Sequence, residues 1–160
     1  MTAQTTRDAT TRDADEDLIG LYSKRILALA ADIPHEGRNP EAQASARKRS
    51  PLCGSTVTVD LSLKDGRIAD FAQEVRACAL GQASAAVLGA QAIGRTREEI
   101  ARAREQLAAM LKADGPVPEA PFEGYEVLAP ARDYRNRHAS ILLALDATLA
   151  AFDAAAAQAA

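Results

Sequence analysis

The sequence lacks any excess of positive charge, since 19 lysines and arginines stand against 22 aspartates and glutamates and the formal net charge is -3. Binding to the phosphate backbone of nucleic acid requires a basic surface, so we expect no nucleic-acid partner. The sequence also lacks a long apolar run. The longest, residues 26–31, is far shorter than the roughly 20 residues that span a bilayer, so we expect no segment that crosses a membrane.

Cysteine is scarce, and Cys53 and Cys78 are the only two in the sequence. The first sixteen residues contain no apolar stretch and lack the hydrophobic middle of a secretory signal, so we expect the protein in the cytoplasm. Thiols stay reduced in that compartment, which argues against a structural disulfide. Three interpretations of the cysteines stay open: buried thiols, metal ligands or reactive thiols.

The length of 160 residues suits a single domain with one hydrophobic core. Residues 1–16 are polar and offer no apolar face, so we expect a disordered tail there. The domain is expected over residues 17–153. An alanine-rich tail that frays is expected over residues 154–160.

The first predicted elements are a helix and a loop. Apolar residues recur at spacings of three and four over residues 18–31, which predicts an amphipathic helix that ends near Pro34. Residues 35–51 contain glycine, two prolines and several charges without periodicity, and this predicts an irregular surface loop. We interpret the Arg-Lys-Arg cluster at residues 47–49 as solvated.

A hairpin is predicted next. Residues 55–63 alternate strictly between polar and apolar side chains, which is typical of a half-buried strand. Asp65-Gly66 supplies the positive φ that a tight turn needs, and residues 68–75 form the partner strand. Two strands alone are marginally stable, so the hairpin requires another strand or helices on its apolar face.

Three helices are predicted after the hairpin. The first covers residues 81–93, the second begins with a capping box formed by Thr96 and Glu99, and the last starts near His138. Residues 115–132 contain four prolines and predict a loop with at most one helical turn. This order of elements predicts an α+β fold, a small antiparallel sheet with helices packed on one face.

Both cysteines fall at the open end of the predicted hairpin. Cys53 precedes its first strand and Cys78 follows its second, so the thiols can lie near each other. Cys78 also precedes a helix, whose free N–H groups and dipole favour a thiolate. Lone cysteines are more often small buried hydrophobes, and that alternative stays open.

His138 is the natural third ligand, because it lies at the predicted start of the last helix. Two thiolates and an imidazole suit zinc or an iron–sulfur cluster, and Ser55 is a weak fourth partner. The alternative is that His138 is a surface histidine. His35, in the charged loop, is expected to be exposed.

At these residues the chain resembles the iron–sulfur cluster assembly scaffolds of the IscU, NifU and SufU type. The family shows Cys-Gly-Asp before a strand, Cys-Ala-(Ile/Leu)-Ser-x-Ala-Ser-Ala entering a helix, and Arg-Ile-Lys-Cys-Ala entering the last helix. The counterparts here are Cys53-Gly54-Ser55, the segment Cys-Ala-Leu-Gly-Gln-Ala-Ser-Ala from Cys78, and Arg-Asn-Arg-His-Ala around His138. The extra residues between the second and third segments resemble the SufU branch, and the resemblance implies a SufE/NifU-like fold.

The chain departs from the family pattern at two functional positions. Ser55 stands where the family has an aspartate tied to metal exchange, and His138 stands where it has a third cysteine that can accept sulfur as a persulfide. Imidazole replaces thiolate on iron in Rieske-type centres, so two thiolates and one imidazole still form a ligand set. The resemblance implies Cys53, Cys78 and His138 as ligands, with Cys53 or Cys78 as persulfide acceptor.

The resemblance implies a scaffold that carries a nascent [2Fe–2S] cluster and that is a carrier rather than a turnover enzyme. A cysteine desulfurase would donate sulfur and apo-proteins would receive the cluster. Two alternatives stay open. One is a degenerate homologue that binds zinc and acts as a regulatory or binding partner, and the other is a zinc-dependent sulfurtransferase.

Overall fold

The computed structural model describes residues 23–159. In chain order its elements are α1 (Lys24–Ala31), β1 (Ala44–Arg49), β2 (Thr56–Lys64), β3 (Arg67–Arg76), α2 (Ala79–Gln91), α3 (Arg97–Lys112), a 3₁₀ helix (Glu123–Asp133) and α4 (Arg135–Ala159). Three antiparallel strands and the helices confirm the predicted α+β class. The predicted tail at residues 1–16 and the start of the first predicted helix lie outside the described residues.

The hairpin of β2 and β3 is confirmed. The two strands pair antiparallel, with Val57 opposite Val75 and Leu61 opposite Phe71. Asp65 and Gly66 both adopt positive φ, 55° and 76°, as the turn requires. Val57, Val59 and Leu61 are buried as the alternation predicted, but Thr58 and Asp60 on the polar face are buried as well, so the strand is not half-buried. This hairpin forms two thirds of a sheet with the strand order β1-β2-β3.

The prediction of an irregular loop over residues 35–51 is wrong, because part of it forms the edge strand β1. This strand pairs antiparallel with β2, from Ala44 opposite Leu61 to Arg49 opposite Thr56. Its side chains are mostly exposed and only Ala44 is fully buried. Edge strands often carry charged residues that prevent pairing with other molecules, so β1 lacks the apolar alternation on which the prediction relied.

The helices cover the face of the sheet that carries the apolar residues of β2. Helix α4 packs on β1 and β2, and helices α2 and α3 pack against α4. The core contains large aliphatic side chains from every layer, among them Ile26, Val59, Leu61, Leu88, Leu107, Ile141 and Leu145. Helix α2 packs closely because its glycines allow it: a Cβ atom at Gly81 would lie 2.7 Å from the Ser140 hydroxyl oxygen.

Three predicted helices after the hairpin are present, with adjusted ends. The capping box of Thr96 and Glu99 is confirmed. The segment predicted as loop with at most one helical turn instead holds an 11-residue 3₁₀ helix, which places Tyr125 and Leu128 in the core. Helix α4 begins at Arg135, three residues before His138, and continues to Ala159. The fraying expected from residue 154 onward stays a prediction.

Among the described residues, one helix is long and apolar enough to span a bilayer by length and composition, the Arg135–Gln158 part of α4. Most of its apolar window, 61%, is buried inside the protein. Its apolar residues, including Ile141, Leu142 and Leu145, belong to the core. Helix α4 is therefore accounted for by the packing of the domain itself.

Candidate metal centre

Cys53 lies in a tight loop between β1 and β2. The Ser50 N–H donates to the Ser55 carbonyl across 2.8 Å, and the Gly54 N–H donates to the Ser50 carbonyl across 2.9 Å. Gly54 has φ of 71°, a conformation that glycine adopts without strain, and this lets the loop close. The loop holds the Cys53 thiol at an exposed position beside the end of the sheet.

Cys78 occupies the N-cap position of α2, directly after β3. Because Thr56 at the start of β2 pairs with Arg76 at the end of β3, both cysteines flank the same end of the sheet. The Cys78 thiol is half-buried and reduced, and Cys53 is also a free thiol.

Two serine hydroxyls connect the thiols. Ser55 Oγ lies 3.0 Å from Cys53 Sγ, and Ser140 Oγ lies 3.6 Å from Cys78 Sγ. The Ser140 hydroxyl, on helix α4, donates to Ser55 Oγ across 3.2 Å. Cys53 and Cys78 are thus the two ends of one hydrogen-bonded chain, and both serines are almost completely buried.

The hydroxyls around Cys53 favour its thiolate. Hydrogen bonds from Ser50 and Ser55 lower the pKa of the Cys53 thiol to about 7, against an opposing effect of burial. Ser50 Oγ lies 3.4 Å from the sulfur and accepts from the thiol in the neutral form. Once the thiol has lost its proton, the Ser50 hydroxyl donates to the thiolate. A thiolate is the form that binds metal and attacks sulfur. Because Cys53 is also exposed, its thiolate can react with metal or with a sulfur donor near neutral pH.

His138 is not brought to the thiols in this structure. Its side chain is buried, and Nε2 lies 2.9 Å from the Ala131 carbonyl and 3.1 Å from the Arg132 carbonyl at the end of the 3₁₀ helix. Since carbonyls only accept, Nε2 carries a proton and donates it to them. Across residues 23–159, no three His, Cys, Asp or Glu side chains lie close enough together to hold a metal ion.

The expectation that His138 joins both cysteines in one shell is therefore not met in this arrangement, and its role as a ligand stays a prediction. The reason is the helical phase of α4. Ser140, two residues further along, lies on the side of the helix that faces Ser55 and Cys78, and two residues turn a helix by more than half a revolution. His35 is exposed, as predicted.

The sequence motifs do not include Ser140 or Ser50, which both contact the thiols. A signal for Ser140 exists, because it shares the buried stripe of α4 with Ala144, Ala147 and Ala151. A hydroxyl on the buried stripe of a helix must find a partner, and this requirement marks it for attention. Ser50 carries no such signal, since its contact with Cys53 depends on how the loop closes.

The surroundings of Cys53 are basic and partly apolar. The Arg49 guanidinium approaches Gly54, since a Cβ atom there would lie 3.9 Å from an Arg49 nitrogen. Leu52 is 75% exposed, although it is a large apolar residue. Among the described residues, no ion pair involves Arg47, Lys48 or Arg49. The exposed thiol therefore lies beside a cationic strand edge.

Comparison with known proteins agrees with this architecture. The family model described as the NifU-like N terminal domain matches residues 21–139. The chain is 26% identical over 124 residues to the iron-sulfur cluster assembly scaffold protein IscU of Thermotoga maritima, a match that covers 78% of this chain and 87% of that protein.

Two solved structures share the fold. One is the N-terminal part of a nitrogen-fixing NifU-like protein from Brucella abortus, with a TM-score of 0.85, 44% identity, and coverage of 89% of this chain and 99% of that one. The other is a candidate iron-sulfur cluster assembly scaffold protein for the SUF system from Fervidobacterium islandicum, with a TM-score of 0.73, 22% identity, and coverage of 84% and 98%. At 22% identity the second likeness shows the fold alone.

Proposed function

This chain belongs to the NifU-like N-terminal domain family, and on that basis we propose that it is an iron–sulfur cluster assembly scaffold that carries a nascent cluster to apo-proteins. The observation that supports this function best is the pair of reduced thiols at one end of the sheet, joined through Ser55 and Ser140. Thiolates are the protein ligands that iron–sulfur clusters use most. The cluster is cargo, held and then released.

We propose Cys53 and Cys78 as ligands of a [2Fe–2S] cluster or of zinc. His138 as third ligand would need either Nδ1 or a break of the Nε2 hydrogen bonds to Ala131 and Arg132. Ser55 contributes through its contact with Cys53 sulfur, and as a metal ligand it would be weak. The two thiols supply soft donors that suit both iron and zinc.

Cys53 is the better sulfur acceptor of the two, since its thiol is exposed and hydroxyl donors favour the thiolate. The Cys53 thiolate attacks the outer sulfur of a persulfide on the donor. The S–S bond of the donor breaks, its electron pair leaves with the donor thiolate, and a persulfide forms on Cys53. The reaction exchanges one S–S bond for another and needs no external oxidant.

We propose a cysteine desulfurase as the sulfur donor, acting in the cytoplasm. The donor must reach Cys53 where Leu52 and the cationic end of β1 surround it. We propose that the scaffold acts as a carrier, because it accepts sulfur and iron and passes them on as a cluster without converting a substrate of its own.

The test is anaerobic reconstitution with ferrous iron and sulfide, followed by iron, sulfide and zinc analysis and an absorption spectrum. The scaffold predicts bound iron and acid-labile sulfide in wild type and their loss in Cys53→Ala and Cys78→Ala. A protein that holds zinc after purification, resists exchange and gains no sulfide would be the zinc-binding homologue. Zinc with persulfide transfer to Cys53 but no cluster would identify a zinc-dependent sulfurtransferase.

A further inference from the structure

We propose that Ser140 is a positioning residue: its hydroxyl hydrogen-bonds the Cys78 sulfur when that sulfur holds a metal, while Ser55 does the same for Cys53. This inference rests on the proposed function, in which both cysteines bind the cargo. The sequence pattern does not assign a role to Ser140, and the proposed function uses it only as a link between the two thiols. Its burial and its two hydrogen-bond neighbours support this role.

Ser140 is 1% exposed, so its hydroxyl cannot be satisfied by bulk water. Its oxygen lies 3.2 Å from Ser55 Oγ and 3.6 Å from Cys78 Sγ. Both contacts link α4 to residues more than 60 positions earlier in the chain, as their separations of 85 and 62 show. A buried hydroxyl with these two neighbours is directed at the thiol end of the sheet.

The number of hydroxyl protons matches the number of sulfurs. In the metal-free protein Ser140 donates to Ser55, so its own oxygen is available to accept from the Cys78 thiol. A metal-bound thiolate has no proton to donate and only accepts. Rotation of the Ser140 hydroxyl by a single torsion then directs its proton to Cys78, and Ser55 keeps its proton on Cys53.

Close packing fixes the Ser140 oxygen in this position. Gly81, on the first turn of α2, leaves room for it: a Cβ atom there would lie 2.7 Å from Ser140 Oγ and 3.2 Å from the Ser140 carbonyl oxygen. Because α2 and α4 approach so closely, the hydroxyl has little freedom to leave the Cys78 side.

Hydrogen bonds to ligand sulfurs change the affinity and the electronic structure of a metal site. Loss of such a partner typically costs about 10- to 100-fold in metal affinity. Hydrogen bonds to sulfur also change the reduction potential of iron–sulfur clusters. The inference therefore predicts a change in the metal site itself, apart from any change in the stability of the fold.

The experiment titrates metal-free protein with Co²⁺ under anaerobic conditions and follows the thiolate-to-cobalt charge-transfer absorption. Three proteins are compared: wild type, Ser140→Ala and Thr148→Val. Thr148 is the matched control because it is a second completely buried hydroxyl on α4, and it donates to the Ala144 carbonyl across 2.8 Å. Thermal melting of each metal-free protein reports the fold.

We expect Ser140→Ala to bind Co²⁺ about 10- to 100-fold more weakly and to shift the charge-transfer band. Thr148→Val is expected to keep the wild-type affinity and band. Ser140→Ala with wild-type affinity and band overturns the inference, as does an equal loss in Thr148→Val. If Ser140→Ala fails to fold, Ser140→Gly takes its place, and wild-type Co²⁺ affinity and absorption in that variant likewise overturn the inference.

The proposed function fails in a different way. A wild-type protein without charge-transfer absorption, or a Cys53→Ala variant that keeps it, would show that the thiols do not hold the metal. Wild-type absorption that is lost in Cys53→Ala but unchanged in Ser140→Ala would leave the proposed function intact and refute only the role of Ser140.

Discussion

Ser140 donates a hydrogen bond to Ser55 across 3.2 Å, although the two residues are 85 positions apart in the chain. The contact joins the last helix to Ser55, the residue that closes the Cys53 loop just before β2. The arrangement of the two thiols consequently depends on the packing of α4 against the sheet as well as on the hairpin.

The first prediction concerns the pH at which Cys53 becomes a thiolate. Its pKa is lowered to about 7 by Ser50 and Ser55, from an ordinary value of 9.0. We expect Ser55→Ala to raise this pKa, so that less thiolate is present at neutral pH. The rate of iodoacetamide alkylation at Cys53, measured by peptide mass spectrometry across pH, reports the midpoint.

Thr148→Val is the control for this measurement, since it removes a buried hydroxyl that contacts neither thiol. An alkylation midpoint that is the same in Ser55→Ala and wild type would contradict the assigned cause. Iodoacetamide reacts with the thiolate, so the alkylation rate increases as pH rises through the pKa of Cys53. Ser55→Ala moves that increase to higher pH.

The second prediction concerns Gly81. In an ordinary helix interior, Gly→Ala stabilises a protein, but a Cβ atom here would lie 2.7 Å from Ser140 Oγ and 2.8 Å from the Ala77 Cβ atom. We expect Gly81→Ala to destabilise the fold by about 1–3 kcal/mol in urea denaturation. The double variant with Ser140→Ala should lose less than the sum of the two changes, and strict additivity would argue against this contact.

The third prediction concerns the buried carboxylate of Asp60. Burial by itself raises its pKa, but hydrogen bonds from Arg38, Ser45 and Asn39 outweigh burial and hold the pKa below 3.8. Arg38 contacts it through Nε at 2.8 Å and a second nitrogen at 3.3 Å. We expect Arg38→Ala to lower the free energy of unfolding at neutral pH, because the buried Asp60 carboxylate then loses its charged partner.

A lowered pKa in the folded state adds stability above the unfolded value, and this stability is lost as pH falls through the folded value. The cost of Arg38→Ala should therefore shrink in urea denaturation below pH 3.8. Arg97→Ala is the matched control, because Arg97 makes a similar two-nitrogen contact with Asp153, whose carboxylate is exposed. We expect it to cost less than about 1 kcal/mol. If both variants lost the same free energy of unfolding, the burial of Asp60 would not contribute to the strength of its ion pair.

The fourth prediction separates two roles of His138. His138→Gln retains an N–H donor for the Ala131 and Arg132 carbonyls but removes the imidazole. If the histidine is structural, the variant keeps most of its stability and its metal binding, whereas His138→Ala loses about 1–3 kcal/mol. If the histidine is a ligand, both variants lose metal. Metal analysis and melting of the same samples decide between them.

Much of the fold could be predicted from the sequence because its signals are local. The alternation of β2, the Asp65-Gly66 turn and the Thr96–Glu99 capping box each depend on a few adjacent residues. Strand β1 could not, since an exposed edge strand is defined by its pairing with β2 and has little apolar pattern.

The candidate site was predictable in part for the same reason. Hairpin closure placed Cys53 and Cys78 at one end of the sheet, and strand pairing follows from the alternation. Which of His138 and Ser140 faces the thiols depends on the rotation of α4 about its own axis, because the two residues lie on nearly opposite sides of that helix. That rotation is set by the packing of the whole core, which motif spacing alone does not report.

If this protein carries a cluster to other proteins, as we propose, it must transfer that cluster to an apo-protein. Reconstituted protein is mixed with an apo-ferredoxin in the presence of an iron chelator, and circular dichroism follows formation of the holo-ferredoxin. We expect transfer that is faster than from free iron and sulfide and that is absent with Cys53→Ala or Cys78→Ala. A holo-ferredoxin yield that is the same with and without the protein would contradict it.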